Sequence, residues 1–228
     1  MNYHTVRYKL EEGVFHLILN QPPSNRMDMI FFDELQDIVT RVLPSAEAKA
    51  IVIYGEGRHF SSGADLPDLI SNLKRGSILG RDNSINTYPG FLETNVKTFQ
   101  YFDELKIPVI AAIRGVCLGS ALELALFCHI RLCAKGAVLG FPESTFGLLP
   151  GCGGIQKIIR LSGKAKAMEL LLKGNSFSAE EALEWNIVDG LLSKRDVIEK
   201  AIAFAKEIAP GYKRLYAKEN IKKLLKNE

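Results

Sequence analysis

The chain has 228 residues, of which 47% are hydrophobic and 24% are charged, and its formal net charge is +3. These values are ordinary for a globular protein and exclude a disordered, collagen-like or coiled-coil chain. A surface that binds nucleic acid usually carries a large excess of Lys and Arg. The small positive charge here predicts no nucleic-acid partner.

The hydrophobic pattern predicts strands over 14–19 and 50–54, with a helix over 28–43 between them. A strand is then expected over 107–113. The following helix, 120–128, is apolar on nearly every side and therefore belongs in the interior. Further strands are predicted over 130–134 and 137–141, and further helices over 156–160, 165–172, 178–185, 196–208 and 212–226. The order of elements indicates an α/β fold with helices accumulating late.

Three local signals refine this pattern. Ser178 and Glu181 form the capping-box spacing of a helix start, and Asn186 is suited to a left-handed helix end. Pro210 and Gly211 predict a break between the last two helices. Residues 71–97 lack periodicity and are expected to form a surface loop or, alternatively, a mobile wall of a ligand pocket.

Neither the apolar segments nor the cysteines indicate a membrane or metal protein. No run reaches the roughly 20 apolar residues of a membrane helix, and the N-terminus lacks a signal-peptide core. The four cysteines form no Cys-x-x-Cys pair, so disulfides and a zinc site are not expected. We therefore expect a cytoplasmic protein with no membrane partner and no metal.

Glu123 is the most unusual residue, because it lies inside the apolar helix 120–128. A buried carboxylate must be neutralised, paired or used in chemistry. One interpretation is a structural ion pair with Arg131 or Arg114. The alternative is a role in a site, since the unpaired N–H groups at the helix start and small residues beside them allow a ligand oxygen to approach.

A second carboxylate, Glu143, follows Pro142 on a turn. Taken alone, it is interpreted as a first-turn helix acid favoured by the helix dipole. If it met Glu123, one of the two would keep a proton while the other accepted one near neutral pH. Such a pair could act as acid and base on a water molecule.

Four segments together resemble the enoyl-CoA hydratase/isomerase (crotonase) family, in order and spacing, over about residues 5–225. They are Phe60-Ser61-Ser62-Gly63-Ala64-Asp65-Leu66, Ile107-Pro108-Val109-Ile110-Ala111-Ala112-Ile113-Arg114-Gly115, Gly119-Ser120-Ala121-Leu122-Glu123-Leu124-Ala125, and Phe141-Pro142-Glu143 through Leu149-Pro150-Gly151-Cys152-Gly153-Gly154. The resemblance implies a crotonase-like fold of repeated β-β-α units with C-terminal helices. It implies one domain over 1–228, with a core over 1–190 and a shortened C-terminal helical region over 191–228.

The resemblance also implies the site. The amides of Ala64 and Ser120 would form an oxyanion hole for a thioester oxygen. Glu123 and Glu143 would be catalytic, and the Gly151 amide would help to place the attacking water. Contacts with coenzyme A are implied for Arg58, Ser62, Asp65 and Leu66, although Asp65 is interpreted equally as a turn residue.

The function implied is an enoyl-CoA hydratase that adds water to a 2-enoyl-CoA thioester. Coenzyme A would be part of the substrate, and no other cofactor is expected. Enoyl-CoA isomerase, decarboxylation and thioester hydrolysis are alternatives, as is a CoA- or RNA-binding relative without turnover. A homo-oligomer, trimer or hexamer, is implied, although the chain stops at Glu228 before the family's further helices.

Three positions depart from the family pattern or stand apart from it. The usual Gly-Gly-Gly is Gly119-Ser120-Ala121 here, which predicts a more crowded pocket floor. His129 replaces the usual Asp and is interpreted as a helix-end or core residue without a catalytic role. Cys152 is interpreted as a packing thiol rather than a nucleophile.

Overall fold

The computed structural model describes residues 3–65, 67–68, 71 and 90–217. Its strands are β1 Val6–Glu11, β2 Val14–Leu19, β3 Ala50–Gly55, β4 Val109–Ile113, β5 Val116–Leu118, β6 Ile130–Ala134, β7 Val138–Gly140, β8 Ser176–Ser178 and β9 Gly190–Leu192. Its α-helices are α1 Met29–Asp37, α2 Gly90–Glu104, α3 Ser120–Leu126, α4 Gly154–Lys173, α5 Ala179–Glu184 and α6 Val197–Ala217.

Two sheets organise these elements. The larger has the order β1-β2-β3-β4-β6-β9, in which only the β1-β2 pair is antiparallel. The smaller has the order β5-β7-β8, with β5 parallel and β8 antiparallel to β7. Because the central strands are covered on both faces, β2 and β4 are buried along their whole length.

The two faces of the larger sheet pack differently. Helix α6 covers one face, where Val197, Ala201 and Ala205 contact residues of the central strands such as Val52 and Ile110. The other face belongs to the main core, which includes α3. All seven residues of α3 are buried, so the prediction that this helix lies in the interior is confirmed.

One predicted helix boundary was wrong and another was confirmed. The helix predicted over 28–43 is α-helical only to Asp37 and continues as a π turn, Ile38–Val42, and a 3₁₀ turn, Leu43–Ser45. The helices predicted over 156–160 and 165–172 are both present as the two parts of α4, which are separated by a kink at Gly163, where φ is 78°.

Two further predictions, on loops and breaks, were also wrong where the structure describes them. Residues 90–97 begin α2 and are not a surface loop, but Leu92 and Asn95 line a cavity, in agreement with the alternative prediction of a pocket wall. Residues 72–89 lie outside the described residues. No break occurs at Pro210, which lies inside α6 and costs that helix one backbone hydrogen bond. Residues 218–228 lie outside the described part of the chain.

The predicted capping box at α5 is present. The Ser178 hydroxyl accepts a hydrogen bond from the Glu181 amide at 3.1 Å, and the Glu181 carboxylate accepts one from the Ser178 amide at 2.8 Å. Asn186 adopts the expected left-handed conformation, with φ of 57°. The helix start and its end were therefore both encoded locally.

We expect Ser178→Ala to lower the free energy of unfolding by about 1 kcal/mol, because a helix N–H loses its acceptor. Urea unfolding of both proteins would measure this. Ser193→Ala, at a turn without a helix cap, is the control. Equal stability of the Ser178 variant and the parent would contradict the capping role.

Candidate active site

One cavity, of about 490 Å³, brings the predicted site residues together. Ser62, Ala64 and Asp65 line it from one segment, and Ser120, Glu123, Glu143 and Gly151 line it from three others. Much of the remaining wall is apolar and includes Met27, Met29, Phe32, Leu92, Leu148 and Leu149. The volume and the apolar wall with a few polar groups are typical of a small-molecule site.

Backbone pairing holds the segments of Ala64 and Ser120 side by side. The Leu118 amide donates to the Ser61 carbonyl at 3.2 Å, and the Ser61 amide donates to the Val116 carbonyl at 3.0 Å. Gly63 adopts φ of 87°, and a Cβ on it would lie 2.4 Å from the Leu118 carbonyl oxygen. Only glycine permits this approach of the two chains.

The amides of Ala64 and Ser120 are not used by the fold. Ala64 pairs with Met27, but the hydrogen bonds of this bridge come from the amides of Met27 and Asp65. Ser120 is the first residue of α3, where an amide has no partner within the helix. Neither amide donates to another described residue, so both can serve a ligand in the cavity.

Glu123 is held by the turn that precedes α4. It is 1% exposed, and its Oε2 accepts hydrogen bonds from the amides of Cys152, at 2.9 Å, and Gly154, at 2.7 Å. A Cβ on Gly154 would lie 2.6 Å from Glu123 Cγ, so only glycine fits there. Both of these amides donate to Oε2, and neither donates to Oε1.

The ion-pair interpretation of Glu123 was wrong. Arg131 pairs instead with Asp189, at 2.7 Å, and donates to the carbonyls of Cys128 and Ile187. Arg114 donates to the carbonyl of Gly57. The burial of Glu123 is therefore offset by backbone amides and not by a cation among the described residues.

Glu143 reaches the same cavity from the 3₁₀ turn Pro142–Phe146. Its Oε1 lies 2.8 Å from the position that a Cβ on Gly119 would occupy, which places it beside the start of α3. Its Oε2 is buried and has no hydrogen-bond partner among the described residues. A buried acceptor without a partner costs free energy unless it carries a proton or meets a ligand.

Burial raises the pKa of both glutamates. The pKa of Glu123 rises to about 8, because desolvation and the nearby Glu143 outweigh the amides of Gly154, Cys152 and Gly151. Desolvation raises the pKa of Glu143 to about 7. The pair therefore holds protons near neutral pH, where an isolated glutamate would be ionised.

These shifts predict a specific pH dependence of stability. Because each glutamate binds its proton more tightly in the folded protein, the stabilisation is complete below the ordinary value of 4.5 and is lost as the pH rises through about 7 and 8. A Glu123→Gln, Glu143→Gln double variant removes this loss. As the pH rises from about 5 to about 9, the free energy of unfolding of this variant should increase relative to that of the parent.

Urea unfolding of the two proteins at both pH values measures the difference. A double Glu180→Gln, Glu184→Gln variant is the control, because both residues are exposed on α5 and neither lines the cavity. A constant stability difference between the parent and the site variant at both pH values would contradict the raised pKa values.

Only some of the residues predicted to contact coenzyme A line the cavity. Ser62 and Asp65 line the cavity, whereas Arg58 is exposed and does not line it. Leu66 lies outside the described residues. Asp65 also has the turn role, because it accepts from the Asp68 amide at 3.3 Å and pairs with Arg26 at 2.6 Å.

Cys152 and His129 have the surroundings of packing residues. Burial and the two glutamates raise the pKa of the Cys152 thiol well above its usual range, which disfavours a thiolate. His129 Nδ1 accepts from the Val109 amide, and its Nε2 lies 3.1 Å from the Asp103 carbonyl oxygen. Burial lowers the pKa of His129, so this ring is neutral.

The sequence reasoning missed Asn95 and Arg26. Asn95 lines the cavity from α2, and Arg26 pairs with Asp65 at its edge. Asn95 could have been found as a polar residue three positions after Leu92 and four before Phe99, on an apolar helix face. The Arg26–Asp65 pair depends on tertiary pairing and had no local signal.

Neither a metal-binding cluster nor a membrane-spanning helix is present among the described residues. Within ranges 3–65, 67–68, 71 and 90–217, no group of three or more His, Cys, Asp or Glu side chains could hold a metal ion. In the same part of the chain, no helix is long and apolar enough to cross a membrane.

Comparison with known proteins identifies the family of this chain. Residues 9–227 match the family model "Enoyl-CoA hydratase/isomerase". The chain is 37% identical over 201 residues to the "Probable enoyl-CoA hydratase" of Bacillus subtilis (strain 168), which covers 88% of this chain and 74% of the relative.

Solved structures agree with the sequence match. An enoyl-CoA hydratase from Bacillus anthracis is 31% identical with a TM-score of 0.76, over 90% of this chain and 76% of that one. A related protein from Thermobifida fusca YX, solved in complex with CoA, is 25% identical with a TM-score of 0.82, over 99% and 87%. The predicted crotonase-like α/β fold is confirmed, and the chain belongs to the enoyl-CoA hydratase/isomerase family.

Proposed function

We propose that this protein is an enoyl-CoA hydratase that adds water across the double bond of a 2-enoyl-CoA thioester. One observation carries the proposal: Glu123 and Glu143 line the same cavity as the two unused amides of Ala64 and Ser120. Hydration needs an acid and a base together with donors for the oxygen of an enolate. The described cavity offers a candidate for each part.

The amides of Ala64 and Ser120 would bind the thioester oxygen. As water attacks the β-carbon, negative charge moves onto this oxygen and an enolate forms. Fixed N–H donors stabilise that charge more than they stabilise the ground state, and one such donor typically contributes roughly 2.7–4 kcal/mol. Donation by the backbone makes this contribution independent of side-chain chemistry.

The two glutamates would move the protons. Glu123, fixed through Oε2, would orient water with Oε1 and take its proton as the oxygen bonds to the β-carbon. Glu143 would deliver a proton to the α-carbon, so that the net change is the addition of one water. A proton then passes from Glu123 to Glu143 and restores the starting state. The raised pKa values keep a proton on the pair near neutral pH, and the reaction needs the form in which Glu143 holds that proton and Glu123 is ionised.

The substrate class follows from the family and from the site. The nucleotide of coenzyme A would contact Arg58, Ser62, Asp65 and Leu66, and the acyl chain would occupy the apolar wall around Leu92 and Leu149. Coenzyme A is part of the substrate, and no separate cofactor or metal enters this reaction. We further propose a cytoplasmic homo-oligomer, trimer or hexamer.

Enoyl-CoA isomerase is the second candidate. It is favoured by one observation: Oε2 of Glu143 lacks a partner, whereas Oε2 of Glu123 is occupied by two amides. A single free carboxylate is enough to carry a proton from one carbon to another. The two reactions differ in mass balance, since only hydration adds water to the substrate.

The test uses purified protein with crotonyl-CoA and a panel of other acyl-CoA thioesters. Hydration predicts loss of the enoyl thioester absorbance and a product heavier by one water. An unchanged mass with a moved double bond would identify an isomerase. Loss of carbon dioxide would identify a decarboxylase, and release of free CoA would identify a hydrolase. Binding of CoA or RNA without any turnover would show a non-catalytic relative.

A further inference from the structure

Asn95 is a buried polar residue whose side chain the fold does not use. It lies in α2 and is 5% exposed, and it lines the cavity that contains the two glutamates. Among the described residues its carboxamide has no hydrogen-bond partner, and its polar atoms are accessible at the cavity and not fully enclosed. The next buried polar residue of the helix, Thr98, differs, because its hydroxyl donates to the Thr94 carbonyl at 2.9 Å.

The position of Asn95 is fixed by its neighbours on the helix. Phe99, four residues later, is fully buried and packs against Phe32 and Phe127, with ring centroids 6.2 Å apart in each case. Leu92, three residues earlier, packs against Gly151, where a Cβ would lie 3.3 Å from Leu92 Cδ2. Helix α2 is therefore packed against the segment that holds Glu123, and Asn95 lies between these contacts.

The surroundings of this carboxamide are largely apolar. Leu92 and Phe99, three positions before and four after Asn95, are apolar, and the cavity wall includes Phe32 and Leu149. An unpaired buried amide destabilises a protein, whereas a Leu of similar size would not. A ligand group that makes the missing hydrogen bonds would recover this cost on binding.

The charges around the cavity narrow the chemistry of that group. Five carboxyl groups line it, from Asp28, Asp65, Asp68, Glu123 and Glu143, of which Asp65 pairs with Arg26, and none of the described lining residues is Lys, Arg or His. A carboxylate on the acyl chain would therefore meet acidic groups and no cation of the described cavity wall. A neutral hydroxyl or keto oxygen would not be repelled by these groups, and a carboxamide can both donate to and accept from a hydroxyl.

We propose that Asn95 is a specificity-determining residue that hydrogen-bonds a neutral oxygen substituent, a hydroxyl or keto group, on the acyl chain of the substrate. The inference rests on the proposed function and names its substrate class: 2-enoyl-CoA thioesters with an oxygenated acyl chain. A site built to bond such a group discriminates against the analogue that lacks it.

The test compares 2-enoyl-CoA thioesters of increasing chain length, each with its ω-hydroxy counterpart, in the parent and in Asn95→Leu. At the matching length the parent should prefer the hydroxylated substrate in kcat/KM by roughly 10- to 100-fold, and the variant should lose this preference. The readout is the ratio of kcat/KM for the two substrates of a pair within each protein, so a general change in turnover caused by the substitution cancels.

Gln100→Leu is the matched control, since Gln100 lies on the same helix but is exposed and does not line this cavity. The same preference should appear in calorimetric binding of the saturated ω-hydroxyacyl and acyl thioesters, which needs no turnover. Failure of the proposed function would appear as absent crotonyl-CoA hydration by the parent, with the binding preference intact. An unchanged preference in Asn95→Leu, or an equal loss on every substrate, would overturn the inference.

Discussion

Replacing Glu143 with Gln should lower kcat for crotonyl-CoA hydration by roughly 10²- to 10⁴-fold, and Glu123→Gln should have a loss in the same range. Glutamine keeps the size of the side chain but can neither take nor give up the proton. Because both groups act in one proton exchange, the double variant should be little worse than either single variant. The loss of absorbance of crotonyl-CoA measures all three rates.

A binding measurement distinguishes the loss of a catalytic group from damage to the structure of the site. Calorimetry with a saturated acyl-CoA should give a similar Kd for the parent and both variants, because the thioester contacts are backbone amides. Glu180→Gln, at an exposed position of α5, should keep full activity. If both site variants retained the parent's rate, the glutamates would not be the acid and base.

Gly63→Ala should reduce kcat by roughly 10²-fold or more through displacement of the two amides. A Cβ at this position would lie 2.4 Å from the Leu118 carbonyl oxygen and 3.5 Å from the Ser120 nitrogen. The chain must therefore separate where Ala64 and Ser120 face the thioester oxygen. The positive φ of 87° adds backbone strain, so the melting temperature should also fall.

Gly136→Ala is the matched control for this variant. Gly136 has a similar φ of 75°, but a Cβ there would meet nothing within 4 Å. Gly136→Ala should have a lower melting temperature than the parent, because of the backbone strain, and the same kcat. If both variants lost the same stability and Gly63→Ala kept its rate, the close approach of the two segments would not matter for turnover.

The central part of the fold could be predicted because its sequence is locally consistent. The strands β2, β3 and β4 are continuous apolar runs, and α3 is apolar on all sides. The short strands β5, β8 and β9 have three residues each and exist through pairing with their neighbours. Five of the six residues of the edge strand β1 are exposed, so the strand shows no alternation of buried and exposed residues that would have predicted it.

The candidate site was predictable to the extent that its motifs lie in register with a family. The resemblance predicted that four residues belong to one site, and the structure places all four on one cavity. They are Glu123, Glu143, Ala64 and Ser120. Their chemical roles stay predictions until the variants are measured. Asn95 was missed because its significance depends on the helix α2, which begins inside a segment that lacked periodicity.

The two glutamates sit in parts of the fold that differ in local stability. Glu123 lies in α3, all of whose residues are buried, and its carboxylate accepts hydrogen bonds from the turn before α4. We expect such a segment to open only with the whole domain. Glu143 lies on a single short turn instead, where we expect local opening. A local rearrangement of Glu143 would then leave Glu123 in place.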